Sequence, residues 1–307
     1  MRPDDWQLTD GIDGIDGFLA RAGGFLRSRP ALHNMSLTDI EKLRVRIRAC
    51  MRTRIRGAAE RDAGAAVLGR LESGGEVRAV FSLAPRGRLV LTPLSAEQAD
   101  ALAARLAALG RFPADVIADH DTAGAFAEAW RRRTGAVPVP FWRTHLNRLG
   151  TLAPPRPRPA GRGRVAGGTD REQVVRWCRE FCVEVGERSS VDLIDAGSWA
   201  ASRFGDRHFT FWETPAPDGT PVSMAAATSL VGGMVRVDPV YTPAHLRGRG
   251  YAGAVTVEVS RAALAAGATD VVLFADPANP TSNALYRRIG YAHVADFAGY
   301  RFSPGRA

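Results

Sequence analysis

The sequence predicts an α/β protein with two tandem domains. Its 307 residues exceed the usual size of one core, since domains commonly contain about 100 to 200 residues. Predicted strands and helices alternate on both sides of a Pro- and Gly-rich stretch at 151–168, and one strand–turn–helix recurs in both halves. We therefore expect domains at 1–150 and 164–307, joined by a Pro/Arg-rich linker at 151–163.

The predicted elements of the first half begin with a helix over 38–50, where Thr38 and Glu41 form a possible capping box. Strands at 65–71, 76–83 and 88–94 and a helix at 96–109 follow. The second half is predicted to contain a helix at 170–184, strands at 208–213, 221–229 and 234–241, and a helix ending near residue 265.

Composition is that of a soluble globular protein, with 45% apolar and 24% charged residues. Apolar runs stay well short of the roughly 20 residues that cross a bilayer, and the acidic N-terminus lacks the apolar core of a secretory signal. We expect a cytoplasmic protein without a membrane partner. The three cysteines, Cys50, Cys178 and Cys182, fit neither a disulfide framework nor a metal site, so we expect buried thiols and no metal.

The net charge of +9 raises the question of a nucleic-acid partner. However, Lys42 is the only lysine among 41 basic residues, a bias that also arises from the base composition of a coding sequence. The arginine cluster between Arg44 and Arg56 contains no aromatic residue on which bases stack. We interpret it as a solvated helix face and expect no nucleic-acid partner.

The recurring segment matches Asp115-Val116 with Asp270-Val271 at an offset of 155. The other identities pair Asp121, Ala123, Ala129, Arg132, Arg133 and Gly135 with Asp276, Ala278, Ala284, Arg287, Arg288 and Gly290. Upstream, Thr92-Pro93 corresponds to Thr242-Pro243, but the second copy has five more residues before the shared Asp-Val. This longer segment contains a glycine loop that the first copy lacks.

The glycine loop, residues 247–252, follows a predicted strand and opens a predicted helix. Backbone N–H groups converge at such a helix N-terminus and form an anion site. Gly248 and Gly250 allow the tight turn, and Arg247 and Arg249 add positive charge. The loop is therefore predicted to bind a diphosphate.

The Arg-x-x-Gly-x-Ala pattern of this loop resembles motif A of the GNAT superfamily of N-acetyltransferases, as do residues 239–243 and 279–286. The similarity covers about residues 164–302. It implies two tandem GNAT-like domains, each a mixed, mostly antiparallel sheet flanked by helices. The first copy would be a degenerate domain without a CoA loop, and the second would bind acetyl-CoA.

The resemblance also implies the CoA-binding residues, with the strand backbone at Val240 and Thr242 pairing with pantetheine. Pro239 fits this, because proline inside a strand requires a bulge or an edge. Asn279 has an equally good explanation as the cap of a helix that begins at Pro280. The predicted CoA contacts are Val240, Tyr241, Thr242, Arg247, Gly248, Arg249, Gly250, Tyr251, Ala252, Asn279, Ser282 and Asn283.

Tyr286 resembles the superfamily's general acid, which would protonate the departing CoA thiolate. It shares a helix face with Asn279 and Ser282. The attacking amine must lose a proton, since an alkylamine has a pKa near 10.4. We predict Glu213 as the base, with Asp238 and His208 as further candidates.

The predicted function is transfer of an acetyl group from acetyl-CoA to a primary amine by direct attack in a ternary complex. The acceptor, a small molecule or a peptide amine, and the acyl length stay open, and we expect a monomer or homodimer. A non-catalytic acyl-CoA sensor is the alternative. The pattern from Gly248 to Gly253, with Asp276, also fits an NAD-binding Rossmann fold, but the loop begins too far from its strand.

Overall fold

The computed structural model describes residues 6–53, 66–215, 217 and 219–303. The chain divides into two compact units, Met1–Leu146 with Val294–Ala307, and Asn147–His293. The sequence-based boundaries, 1–150 and 164–307, differ because the last strand leaves the second unit after His293. From Val294 onward the chain belongs to the first unit.

The first unit contains a sheet in the order β1-β2-β3-β4-β5-β12. Strands β4 and β5 are parallel, whereas the other paired neighbours run antiparallel. Its elements are β1 (Trp6–Asp10), α1 (Gly11–Ser28), α2 (Asn34–Thr53), β2 (Val67–Ser73), β3 (Glu76–Leu83), β4 (Arg88–Leu91), α3 (Ala96–Ala108), β5 (Asp115–Asp119), α4 (His120–Thr134) and β6 (Val137–Leu149). The last three residues of β6 fall in the second unit.

The second unit has the order β11-β10-β9-β8-β7, with β10 and β11 parallel and the rest antiparallel. Its elements are β7 (Arg162–Val165), α5 (Arg171–Glu184), α6 (Arg188–Asp195), β8 (His208–Glu213), β9 (Pro221–Ala227), β10 (Met234–Tyr241), α7 (Tyr251–Ala265), β11 (Asp270–Ala275) and α8 (Pro280–Arg288). The strand β12 (Tyr291–Ser303) begins in this unit and belongs to the first unit from Val294. The mixed, mostly antiparallel sheet in each unit confirms the predicted fold class and does not fit the doubly wound parallel sheet of a Rossmann domain.

The sheet of the second unit packs on both faces, since alternate residues of a strand point to opposite sides. Trp212 of β8 packs with α7 on one face, and its neighbour Phe211 packs with α5 on the other. Cys178 and Cys182 lie in the α5 core as buried free thiols, as predicted, and burial raises the pKa of Cys182 to about 12.

Several predicted features lie at or beyond the edge of the described chain. The side chain of Cys50 and residues Arg54 and Arg56 fall outside it.

Within the described ranges, every helix is too short or too polar to cross a membrane.

Candidate active site

Two parallel strands separate in the second unit. β10 pairs with β11 from Met234 to Val237, opposite Asp270 to Leu273, and this pairing ends before β10 does. The last four residues of β10, up to Tyr241, continue without a ladder to β11. Their backbone on that side is therefore available to an extended ligand.

A β-bulge in β10 begins where the two strands separate. Val237 pairs with Ala227 of β9, whereas Val240 pairs with Ala225, so β10 contains one extra residue there. This confirms the bulge predicted from Pro239. The extra residue also reverses the alternation, so that Tyr241 packs in the α5 core whereas Val237 packs in the α7 core.

The glycine loop opens α7 as predicted. Gly248 and Gly250 have φ values of 76° and 82°, in the left-handed region that favours glycine. Gly250 is the N-cap of α7, and it brings no side chain to accept hydrogen bonds from the first turn. The first-turn N–H groups of α7 thus face an exposed loop, which suits them to an anionic ligand.

Arg247 shapes this loop rather than standing free. Its Nε–H donates to the carbonyl oxygen of Thr242 at 2.9 Å, and its NH2 group contacts both carboxylate oxygens of Glu184 at 2.6 and 2.8 Å. Arg249 is exposed and makes one long contact, 3.4 Å, to the carbonyl oxygen of His245. Of the two predicted loop cations, Arg249 is the one with a loosely held charge.

The first copy closes the corresponding helix end with its own side chains. Ser95 caps α3, accepting from the N–H of Gln98 at 3.3 Å, while Gln98 Oε1 accepts from the N–H of Ser95 at 3.0 Å. Glu97 adds a negative charge in the same turn. Strand β4 remains paired with β5 up to Val90, so only Leu91 of β4 lies beyond the last pair.

Tyr286 of α8 has a half-buried side chain at the edge of the α7 core, 6.1 Å from the ring centroid of Tyr291. Burial raises its pKa, with smaller contributions from Tyr291 and from the charge of Asp238. Among the residues that the structure describes, its hydroxyl has no hydrogen-bond partner. The phenol is therefore held protonated and free to donate to a ligand.

The polar residues at the start of α8 hold its N-terminus together. The Asn279 side chain accepts from the N–H of Ser282 at 3.0 Å, so it acts as the helix cap. Asn283 Nδ2 donates to the carbonyl oxygens of Asp276 and Asn279, each at 2.8 Å. Ser282 is partly exposed. These contacts give Asn279 and Asn283 a structural role in presenting Tyr286.

Glu213 does not lie at the separated strands. It ends β8, two strands away from β11 across β9 and β10, and its side chain is buried. Its Oε1 accepts from Arg164 Nε at 2.6 Å, with Arg162 also near. His208 lies at the other end of β8, where Nε2 contacts Ser229 Oγ at 3.1 Å. These positions favour structural roles for both residues.

Asp238 lies in the bulge, and its negative charge contributes to the raised pKa of Tyr286. Its carboxylate contacts Arg203 at 3.0 Å and the buried Arg207 at 3.8 Å. These arginines were not predicted, because their loop between α6 and β8 has no periodicity that places it beside β10.

A second polar network, also unpredicted, joins α5 to the end of β10. The hydroxyl of Tyr241 donates to Glu180 at 2.9 Å, and burial followed by this contact raises the tyrosine pKa. Glu184, one turn further, holds Arg247 of the glycine loop. Glu180 and Glu184 stand four residues apart on one face of α5, a spacing visible in the sequence.

Comparison with known proteins supports the superfamily fold. Residues 224–301 match the family model described as FR47-like protein. A GCN5-related N-acetyltransferase from Sphaerobacter thermophilus is 16% identical, with a TM-score of 0.51 over 98% of this chain and 96% of that chain. A Drosophila protein is 13% identical, with a TM-score of 0.61 over 99% and 100% of the two chains. Among curated protein sequences, none matches this chain.

The fold and the site together define a mixed α/β protein with separated parallel strands in front of a glycine-capped helix. This chain has the fold of the GCN5-related N-acetyltransferases, as its sequence resemblance indicated, and the FR47-like match falls on the copy that contains the glycine loop.

Proposed function

We propose that the second unit transfers an acyl group from acyl-CoA to a primary amine, with acetyl-CoA as the preferred donor. The observation that supports this most directly is the end of pairing between β10 and β11 just before the glycine-capped start of α7. An extended thioester ligand needs an unpaired strand for its amides and an anion site for its phosphates. Both occur here in consecutive segments of the chain.

In this proposal, the N–H groups at the start of α7 bind the diphosphate, and Val240 and Thr242 offer backbone groups to pantetheine. Thr242 is well held for this purpose, since its hydroxyl contacts Ser223 at 2.8 Å and its carbonyl oxygen accepts from Arg247. Arg247 therefore fixes the loop conformation, and Arg249 meets the phosphate charge.

Tyr286 is the proposed general acid. A thiolate leaving group has a pKa near 8.5, so a phenol that burial keeps protonated can donate to it when the two are aligned. The free hydroxyl of Tyr286 suits this role. The amine attacks the thioester directly, without a covalent enzyme intermediate.

We propose Asp238, in place of Glu213, as the residue that binds the amine and accepts its proton. Glu213 accepts a hydrogen bond from Arg164 and lies away from the separated strands. Asp238 lies at the bulge, and its charge contributes to the raised pKa of Tyr286. Its carboxylate would orient the incoming ammonium and accept its proton, directly or through water. The contacts with Arg203 and Arg207 hold the carboxylate in place.

The first unit is proposed to be a degenerate copy that binds no CoA. Its equivalent helix end is capped by Ser95 and carries Glu97. A phosphate would have to displace the Ser95 side chain and would be repelled by the negative charge of Glu97. One acyl-CoA per chain is the expected stoichiometry.

The test is direct binding of acetyl-CoA by calorimetry, followed by mass spectrometry of an amine panel incubated with protein and acetyl-CoA. The panel contains small amines, aminoglycosides, amino acids and peptides. Binding with transfer supports the proposal, and binding without transfer to any amine supports an acyl-CoA sensor. Failure of acetyl-CoA and longer acyl-CoAs to bind would overturn both.

A further inference from the structure

The Pro-rich segment between the copies is anchored within the second unit at both ends. At its start, the N–H of Ala153 donates to the carbonyl oxygen of Ile289 at 3.1 Å. At its end, Trp212 Nε1–H donates to the carbonyl oxygen of Ala160, also at 3.1 Å. We call residues 153–160 the strap. The strap is a fixed part of this unit, although its composition predicts a linker.

Between these anchors the strap passes over the beginning of α7. The position that a Cβ would take at Gly253 lies 3.8 Å from Pro155, and the equivalent position at Gly250 lies 3.7 Å from Pro159. Both separations are ordinary van der Waals contacts. The strap therefore borders the same helix end that we propose to bind the CoA diphosphate.

The two arginines of the strap differ in their contacts. Arg158 is engaged, with its guanidinium 3.7 Å from Glu258 and 5.5 Å from the ring centroid of Trp212. Arg156 is exposed, and among the described residues it has no ion-pair or hydrogen-bond partner. It follows Pro155 directly, so its Cα lies about 3.8 Å from that of the residue in contact with Gly253.

The sequence around Arg156 also restricts its backbone, so little backbone entropy is lost when its side chain binds a ligand. Pro155 fixes its own φ, and Pro157 restricts the backbone of Arg156 to extended conformations. The backbone from which the side chain extends is therefore restricted, and a guanidinium matches a phosphate with two parallel N–H···O bonds. Arg247 is already bound to Glu184, so Arg249 is the loop cation left for the phosphates, and CoA, with a diphosphate and a 3′-phosphate, carries charge for a further cation.

We infer that the strap forms an outer wall of the acyl-CoA groove and that Arg156 binds a phosphate group of CoA. This inference rests on the proposed function of the second unit. It adds a binding element from outside the glycine loop and gives the Pro-rich segment a role in recognising the donor.

The test compares Arg156→Gln with Arg158→Gln, which removes the same charge two residues along the strap. Calorimetry measures the Kd for CoA, 3′-dephospho-CoA and pantetheine with each variant. We expect Arg156→Gln to raise the Kd for CoA about tenfold, since a charge-assisted bidentate contact is lost, and Arg158→Gln to change it less than twofold. Thermal unfolding of both variants checks that each folds.

The ligand series locates the contact. A loss confined to CoA assigns Arg156 to the 3′-phosphate, and an equal loss for CoA and 3′-dephospho-CoA assigns it to the diphosphate, with pantetheine binding unchanged in either case. Equal CoA affinity of the two variants, or an equal loss for pantetheine, overturns the inference and leaves the proposed function standing. Absence of CoA binding to the unmodified protein overturns the proposed function itself.

Discussion

Gly250 and Ser95 cap corresponding helices in the two copies, and only Ser95 brings a side chain to its helix end. Each follows a Thr-Pro pair that ends a strand parallel to the Asp-Val strand. The serine satisfies the first N–H groups from within, whereas the glycine leaves them to a ligand. This one position distinguishes a helix end closed by its own side chain from the proposed anion site.

Gly250→Ala is expected to weaken acetyl-CoA binding about tenfold. The added methyl has room beside Pro159, but φ of 82° costs a non-glycine residue about 1 kcal/mol or more, so the loop shifts its amides. Gly267→Ala is the matched control, since φ there is 91° at the other end of α7 and nothing lies within 4 Å. Equal acetyl-CoA affinity in the two variants would contradict the assignment. Calorimetry measures the affinity and urea unfolding measures the shared strain.

Ser95→Ala should destabilise the first unit by about 1 kcal/mol, the usual cost of losing an N-cap. Acetyl-CoA binding should remain at one molecule per chain with unchanged affinity. Urea unfolding and titration calorimetry check the two parts. A stoichiometry of two in the unmodified protein would show that the first copy also binds CoA.

Tyr286→Phe should lower kcat for amine acetylation by at least about 10²-fold, the usual contribution of a general acid, with little change in KM. The melting temperature should stay within about a degree, because the structure gives the hydroxyl no hydrogen bond among the described residues. Tyr300→Phe, in the first unit, is the control and should retain full activity. Full turnover by Tyr286→Phe would remove this residue from the mechanism.

Asp238→Asn should reduce kcat/KM for the amine about 10²-fold while leaving the Kd for acetyl-CoA unchanged, since it removes the proposed contact to the ammonium. Glu187→Gln is the control, because Glu187 also contacts Arg203, at 3.2 Å, but lies outside the bulge. Steady-state kinetics with varied amine concentration gives kcat/KM for both variants. Similar losses in both variants would indicate that Asp238 acts only by holding Arg203.

Asp170 should make stability depend on pH in the acid range. Its hydrogen bonds from Arg164 and from the N–H of Gly167 lower the pKa of the carboxyl to about 2, against about 3.9 in an unfolded chain. The stabilisation is therefore complete above about pH 4 and disappears as the pH falls towards 2. Asp170→Asn should cost about 1 to 2 kcal/mol at pH 7, allowing for solvent screening, and almost nothing near pH 2. Urea unfolding across that pH range measures the free energy of unfolding of both proteins. A difference between them that does not change with pH would contradict the prediction.

The sequence was most informative where hydrophobic periodicity and chemistry agree. Strands β3, β8 and β10 have the predicted bounds, and Pro239 marked the bulge in advance. Helix α1 was not predicted, because its five glycines lower helix propensity. Its buried face at Ile15, Phe18, Ala22 and Leu26 shows that packing compensates for this.

Site residues were predictable when a local pattern fixes them. The glycine loop and the capping role of Asn279 follow from neighbouring residues, whereas the partners of Glu213 and Asp238 are arginines distant in sequence. Strand order decides how far Glu213 lies from the bulge, and local spacing does not encode strand order. The strap was likewise hidden, since proline content indicates an extended segment without showing what it contacts.

The last strand has a consequence for how the chain acquires its structure. β5 pairs antiparallel with β12, Asp115 opposite Arg301, so β5 is paired with residues that are synthesised only after the whole second unit. Until then that edge exposes unpaired backbone groups, a common start for aggregation. A chain that stops before Val294 contains the second unit and leaves the first unit incomplete. The first unit thus completes its sheet only after the second unit has been synthesised.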